Sequence, residues 1–315
     1  MITIPVTVLK MRIVPITGLM ALALGGITVA ACGSDSSVSA TGPRVVVTTS
    51  ILGDVVEHLV GEEVAVEVIM PAGADPHDAA PSPKQVEMMR NADLLVINGE
   101  GFEAGLADTI AVVEADGVEV VRATDAIDLR GLDENGAEVP DPHVFTSPAN
   151  MVVIAGVIAD RLVTEVPSLD TPRYRATVAA YLAELRALDA SVEQTLAGIA
   201  EQDRILITNH DVFGYFADRY NFEILGAVIP SGSTLAEPSS QELVDLADLM
   251  VEADIRAIFA DSSSPARLAD ALASEGIDVE VVELFSESLG EPGSGADTYV
   301  GMVRTNANRI AAALD

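Results

Sequence analysis

Short runs of β-branched and aliphatic residues alternate with helical patterns along almost the whole chain from Arg44 onward. Strands that alternate with helices fold as parallel βαβ units with right-handed crossovers. The runs predict strands at 44–50, 64–70, 93–99, 118–123, 204–208, 222–229, 255–260 and 279–284. We therefore expect an α/β protein with two mostly parallel four-stranded sheets, each flanked by helices.

One segment breaks this alternation. Residues 171–202 show apolar side chains at helical spacing and no strand pattern. Thr171 can cap such a helix, and Pro172 suits its first turn. Ser147 can likewise cap the helix that the pattern of 147–166 predicts before it. About 28 residues of helix would extend about 42 Å, enough to run along two lobes. We predict an N-terminal lobe at 44–170 and a C-terminal lobe at 203–315, joined by one long rigid helix.

The first 31 residues have the composition of an export signal. Lys10 and Arg12 precede an uncharged, mostly apolar run, and small residues stand before Cys32. The run is also long enough for a membrane-spanning anchor, which needs about 20 apolar residues. A start at Met11 instead of Met1 would give a tidier signal.

The only cysteine of the chain, Cys32, favours the signal peptide over the anchor. A single cysteine excludes an internal disulfide. The residues VAAC at 29–32 resemble the bacterial lipobox, in which the cysteine becomes the lipidated first residue of the mature protein. We predict a signal peptide at 1–31, lipid attachment at Cys32 and a flexible polar linker at 32–43. Such a protein is exported and lipid-anchored on the outer face of the cytoplasmic membrane, at the cell surface or in the periplasm.

Charge and composition limit the partners. The formal net charge is −32 at pH 7, so phosphate groups would be repelled. This argues against nucleic acid and against anionic membrane surfaces, and it leaves the lipid as the expected membrane contact. The aromatic content of 4% argues against a cleft for a siderophore or cobalamin.

Three of the four histidines follow predicted strands. His77 comes after the second strand, His143 after the fourth, and His210 after the fifth, at the expected start of the next helix. Glu287 follows the eighth strand. Ligands of open parallel sheets bind beyond the carboxyl ends of the strands. We therefore expect these four side chains to meet, two from each lobe.

These residue types fit a divalent transition metal. Neutral imidazole binds Zn²⁺, Mn²⁺ or Fe²⁺, and a carboxylate adds a charge-neutralising ligand. Three histidines and one glutamate can complete a four-coordinate site for one ion per chain. Pro76 and Pro142 restrict the backbone of two Asp-Pro-His triplets and lower the entropy lost on binding. The neighbouring aspartates that could orient the histidines are Asp75, Asp78, Asp141 and Asp211.

Other residues compete for these roles. Asp261, directly after the seventh strand, is a rival to Glu287, and a water molecule could also supply the fourth ligand. We interpret His58, in the middle of a predicted helix, as structural. Glu237 is interpreted as part of a helix start, where a capping box follows at Ser239.

Several segments carry a family resemblance: PAGADPHDAAPSP, DPHVFTSPAN, TNHDVFGYFADRY, LFSESLG and ADTYVGMVRTN. They are similar to motifs of the metal-binding lipoproteins of bacterial ABC transporters, the zinc/manganese solute-binding family, over roughly residues 44–315. The resemblance implies two lobes that enclose one metal ion and pass it to membrane permease subunits. His77, His143 and His210 fall on the metal-ligating histidines of that family. Glu287 falls where the family usually has aspartate.

The resemblance also bears on the metal and on function. A histidine at 210 makes the site similar to zinc-type members, although some manganese-linked members share it, and the histidine-rich acidic loop of many zinc-specific members is absent. We predict a monomeric solute-binding component of an ABC importer for zinc, with manganese or iron as alternatives. A zinc-dependent hydrolase and a surface adhesin are the competing classes. The chain shows no H-E-x-x-H motif, phosphate loop or nucleophile elbow, which argues against an enzyme.

Overall fold

A computed structural model describes residues 42–134, 137–235, 239–255, 257–262 and 279–315. The predicted signal peptide and Cys32 lie outside these residues, as do Glu237 and a helix that the pattern of 265–275 predicts. Among the helices of the described residues, none combines the length and apolarity that a membrane span requires.

The N-terminal lobe contains a four-stranded parallel sheet, as the alternation predicted. Its elements are β1 (Arg44–Val47), α1 (Ser50–Val60), β2 (Ala65–Val68), α2 (Pro83–Arg90), β3 (Leu94–Ile97), α3 (Ala107–Ala115) and β4 (Val120–Arg122). The strand order is β2-β1-β3-β4, and every pair is parallel. The carboxyl ends of all four strands therefore lie at one edge of the sheet.

A hairpin and two helices lie between the two parallel sheets in the chain: β5 (Gly131–Glu134), β6 (Ala137–Pro140), α4 (Pro148–Glu165) and α5 (Pro172–Leu196). The strand pattern did not predict the antiparallel hairpin, because its strands are short and polar, although Asn135-Gly136 favours a hairpin turn. The predicted caps of the helices are confirmed. Ser147 Oγ accepts a hydrogen bond from the N–H of Asn150, and Thr171 Oγ1 accepts one from Tyr174.

The C-terminal lobe repeats the arrangement of the first. Its elements are β7 (Ile205–His210), α6 (Gly214–Tyr220), β8 (Glu223–Ile229), α7 (Ser240–Glu252), β9 (Ala257–Asp261), β10 (Glu280–Leu284) and α8 (Tyr299–Leu314). The parallel strands have the order β10-β9-β7-β8. Ser239 and Glu242 form the predicted capping box at the start of α7.

One hydrophobic core extends through both lobes. Val45 and Val47 of β1 belong to the same buried cluster as Leu185 of α5 and Phe259 of β9. Val46 points to the opposite face of its sheet and belongs to a separate cluster, as the two-residue period of a strand requires. The long helix α5 contains 25 residues. Because one face of α5 lies in the shared core, it joins the lobes as a packed element.

Candidate metal centre

The four residues that the sequence singled out lie together in one buried cluster. One nitrogen or oxygen atom from each lies within 4.8 Å of the others, and the four residues are His77, His143, His210 and Glu287. Their exposed fractions are 3%, 0%, 0% and 2%, in that order. The cluster is thus almost completely shielded from solvent.

Three members of the cluster lie at or after the carboxyl end of a strand in a parallel sheet, and His143 follows the antiparallel hairpin. His77 lies between β2 and α2, and His143 lies between β6 and α4. Glu287 lies in the segment between β10 and α8. His210 was expected at the start of a helix, and this was wrong: it is the last residue of β7, and the next helix begins only at Gly214. The strand extends because β7 pairs with β8 as far as His210.

The two Asp-Pro-His triplets share a local structure. Asp75 Oδ1 accepts a hydrogen bond from the backbone N–H of His77 at 2.9 Å. Asp141 Oδ1 accepts one from the N–H of His143 at the same distance. An aspartate that bonds the backbone two residues ahead stabilises a tight turn, and the proline between restricts φ. The triplet sequence by itself therefore positions the backbone of both histidines.

Asp141 is the candidate aspartate that contacts a ligand ring. Its Oδ1 lies 2.9 Å from Nδ1 of His143, and both side chains are fully buried. The guanidinium of Arg130 lies 3.3 Å from the other oxygen of Asp141. A carboxylate at Nδ1 holds the proton there and leaves the lone pair on Nε2 for a metal.

Glu287 faces all three histidines despite being one methylene longer than aspartate. Its Oε2 lies 3.4 Å from Nε2 of His77. Its Oε1 lies 3.6 Å from Nε2 of His143 and 2.7 Å from Nε2 of His210. Within the described part of the chain, these three nitrogens and both oxygens are buried and make no hydrogen bond to a group outside the cluster. Such atoms are costly to bury unpaired, and a single cation between them would satisfy all five.

The charges of His210 and Glu287 are coupled. Burial lowers the pKa of His210, but the attraction and hydrogen bond of Glu287, together with the charges of Asp261 and Asp211, raise it above its ordinary value of 6.5. Burial raises the pKa of Glu287, but the three histidines together, His210 most strongly, hold it well below its ordinary value. Glu287 is therefore an anion at neutral pH, and the cluster offers a negative charge to a cation.

Asp261, the rival carboxylate, has a different position. It is the last residue of β9, it is buried, and it accepts a hydrogen bond from Ser286 Oγ. Within the described residues, the four-atom cluster contains Glu287 and not Asp261. Asn306 of α8 also holds the Glu287 segment, since its side chain bonds both the N–H and the carbonyl of Phe285 at 2.9 and 2.7 Å.

Sequence reasoning missed three residues that support the first two histidines. The ring of Phe102 contacts His77 and His143 edge-on, with ring centroids 5.2 and 5.7 Å away. The buried Glu103 accepts hydrogen bonds of 2.6 to 3.1 Å from groups at the ends of β1 and β3. Asn98 Nδ2 donates to the carbonyl that precedes His143 at 2.8 Å. The segment NGEGFE follows a predicted strand directly, and that position was the available signal.

Comparisons with known proteins find similar chains over nearly the whole length. The sequence model of the family described as zinc-uptake complex component A, periplasmic (ZnuA) matches residues 45–313. The zinc-binding protein TroA of Treponema pallidum is 32% identical over 301 residues, which is 93% of this chain and 96% of TroA. The solved structure of that periplasmic zinc-binding protein superimposes with a TM-score of 0.78 and 31% identity, covering 87% of this chain and 99% of the other.

Two further relatives carry names that refer to manganese. The manganese-binding lipoprotein MntA of Halalkalibacterium halodurans is 28% identical over 289 residues, covering 90% of this chain and 94% of MntA. The manganese ABC transporter substrate-binding lipoprotein PsaA of Streptococcus pneumoniae is 27% identical over 318 residues, covering 96% and 99%.

Proposed function

The chain belongs to the zinc-uptake complex component A periplasmic family, and from this premise we propose that it is the extracytoplasmic solute-binding component of an ABC importer that binds one divalent transition metal ion between its lobes. The permease of the importer would then receive the ion. Members of the family are solute-binding receptors and not enzymes. Zinc is the proposed ion, with manganese or iron as alternatives.

One observation carries this proposal. Three imidazole nitrogens and a carboxylate from both lobes converge within 4.8 Å and are almost completely buried. The cluster has the donor atoms of a metal site, and among the described residues none of these atoms bonds a group outside the cluster. Asp141 behind His143 adds the carboxylate that metal-bound histidines usually carry on their second nitrogen.

Donor type favours zinc. Sites rich in imidazole suit zinc, whereas manganese prefers carboxylate, carbonyl and water oxygens. A tetrahedral zinc ion with bonds of about 2.0–2.1 Å places its ligand atoms about 3.3 Å apart. The carboxylate oxygens of Glu287 lie 3.4 and 3.6 Å from the nearest nitrogens of His77 and His143. The distance from Glu287 Oε1 to His210 Nε2 is shorter, 2.7 Å, so the donor types and not the distances carry the choice of zinc.

Metal analysis and competition test the proposal. The mature protein is stripped with a chelator, dialysed, and titrated with Zn²⁺ and Mn²⁺ separately and in competition. We expect one ion per chain and tighter binding of zinc. Absence of binding to either metal would contradict the receptor function. If manganese binds more tightly than zinc, the proposed receptor function stands and the proposed ion changes to manganese.

We further propose export and lipidation for the segment before the described residues. Two relatives are named lipoproteins, and Cys32 follows a signal-like run. The proposed organisation is a signal peptide at 1–31, a linker at 32–43 and a monomeric two-lobe receptor. Cells expressing the protein and its Cys32→Ser variant are grown with labelled palmitate. Label in the variant, or none in the wild type, would contradict lipidation at this cysteine.

A further inference from the structure

Hydrogen bonds between the two lobes lie directly beside the proposed ligands. Asp75, two residues before the first histidine, accepts a hydrogen bond from Thr234 Oγ1 of the C-terminal lobe at 2.7 Å. The carbonyl of Asp141, two residues before the second histidine, accepts one from the hydroxyl of Tyr215 in α6 at 2.9 Å. Both triplets are thus bonded to the opposite lobe.

The Glu287 segment has the reciprocal arrangement. Ser288 Oγ lies 2.9 Å from Ser50 Oγ at the start of α1. Ser288 Oγ also accepts a hydrogen bond of 2.8 Å from the backbone N–H of Gly73. The C-terminal ligand segment is therefore bonded to the N-terminal lobe one residue beyond the glutamate. We call the three contacts Asp75–Thr234, Asp141–Tyr215 and Ser288–Ser50 the lobe clasp.

We propose that the lobe clasp sets how long the protein retains its metal ion, an inference that rests on the proposed function. The ligands are at most 3% exposed, so an ion can leave only when the lobes separate. Each clasp contact lies within two residues of a ligand. Separation of the lobes therefore breaks clasp bonds and metal bonds together, and the clasp adds to the barrier for release.

The clasp residues of the opposite lobe act by positioning. Thr234, Tyr215 and Ser50 lie outside the four-atom cluster. Their hydroxyl groups hold the segments that carry the ligands. Hydrogen bonds to charged groups contribute more than neutral ones, so the Asp75–Thr234 contact is expected to be the strongest of the three.

The test is the rate of zinc release from Thr234→Val. Zinc-loaded protein is mixed with excess chelator, and release is followed with a fluorescent zinc indicator. Valine keeps the shape of threonine and removes the hydroxyl, so we expect release about tenfold faster than in the wild type. Thr234→Ser keeps the hydroxyl and should release zinc at the wild-type rate. Thr164→Val removes a hydroxyl bond within α4 and is the matched control.

Further measurements separate positioning from general stability. The melting temperatures of all metal-free variants are compared, and Tyr215→Phe and Ser50→Ala are measured as independent breaks of the clasp. We expect faster release in each without a matching loss of metal-free stability. If Thr234→Val and Tyr215→Phe release zinc at the wild-type rate, the proposal that the clasp controls metal retention is refuted, and the proposed receptor function is unaffected. A wild-type protein that binds neither zinc nor manganese would instead refute the proposed function itself.

Discussion

The two Asp-Pro-His triplets have the same sequence and the same turn but different surroundings. In both, Oδ1 of the aspartate accepts a hydrogen bond of 2.9 Å from the backbone N–H of the histidine two residues ahead. Asp141 is fully buried and also contacts the ring of His143. Asp75 is half-buried, and its second oxygen bonds Thr234 of the other lobe. The turn is a local property, whereas packing decides what the remaining oxygen does.

This difference assigns distinct tasks to a repeated motif. Asp141 sets the proton position and the basicity of one ligand, because it touches the imidazole directly. Asp75 links the position of its histidine to the closure of the lobes. Repetition in sequence therefore predicts the shared backbone geometry and does not predict a shared role for the aspartates.

The greatest loss of zinc affinity is expected from replacing the histidines, and it should be similar for both triplets. His77→Ala and His143→Ala should each weaken zinc binding by more than about a hundredfold, since each removes one of four metal bonds that together supply roughly 10–16 kcal/mol. His210→Ala should do the same, and the fold should survive in all three. Calorimetry with a competing chelator measures the affinity, and His58→Ala is the control. An unchanged affinity would remove that histidine from the site.

Replacing the aspartates should distinguish the two triplets by a smaller loss of zinc affinity. Asp141→Asn should weaken zinc binding about 10- to 100-fold, because the ring of His143 loses its charged partner. Asp75→Asn should weaken it by less than about tenfold, because the residue touches no ligand ring and the amide oxygen can still accept one hydrogen bond. The same calorimetry compares the two variants. Equal losses of zinc affinity in the two variants would show that the two aspartates do not have different roles.

The third prediction concerns the pH dependence of binding at His210, which is not part of an Asp-Pro-His triplet and pairs with Glu287. Since the carboxylate raises the pKa of His210 above 6.5, zinc must displace a proton as pH falls through that raised pKa. Zinc affinity should therefore fall with decreasing pH and fade below about pH 6. The pKa of Glu287 lies far lower, so its protonation does not contribute there. Calorimetry in buffers of different ionisation enthalpy should detect proton release at pH 7; affinity independent of pH between 5 and 8 would refute the pairing.

The smallest effect tests the prolines. Pro76→Ala and Pro142→Ala should each lower the free energy of unfolding by about 1 kcal/mol or less, because proline restricts the unfolded chain. Urea denaturation of the metal-free variants measures this change. A loss of several kcal/mol at one proline alone would show that the two turns differ in packing as well as in the role of their aspartates.

The fold was largely predictable because its signals are local. The alternation of strands and helices predicted all eight strands of the two sheets, and Ser147, Thr171 and Ser239 predicted helix starts. The ends of the strands shifted by a few residues, since pairing and not propensity decides where a strand stops. His210 shows this, because pairing with β8 drew it into the strand. The hairpin at 131–140 was missed because its short polar strands show no alternation.

The order of residues was enough to identify the donors and their backbone turns: three histidines, a glutamate and two Asp-Pro-His motifs after predicted strands. The packing of the folded chain was needed to show that Glu287 and not Asp261 faces the histidines, that Asp141 contacts a ring, and that Asp75 bonds Thr234. Asp75 and Thr234 are 159 positions apart. Contacts between such distant residues depend on how two lobes pack around a shared core, and no local pattern of side chains records that packing.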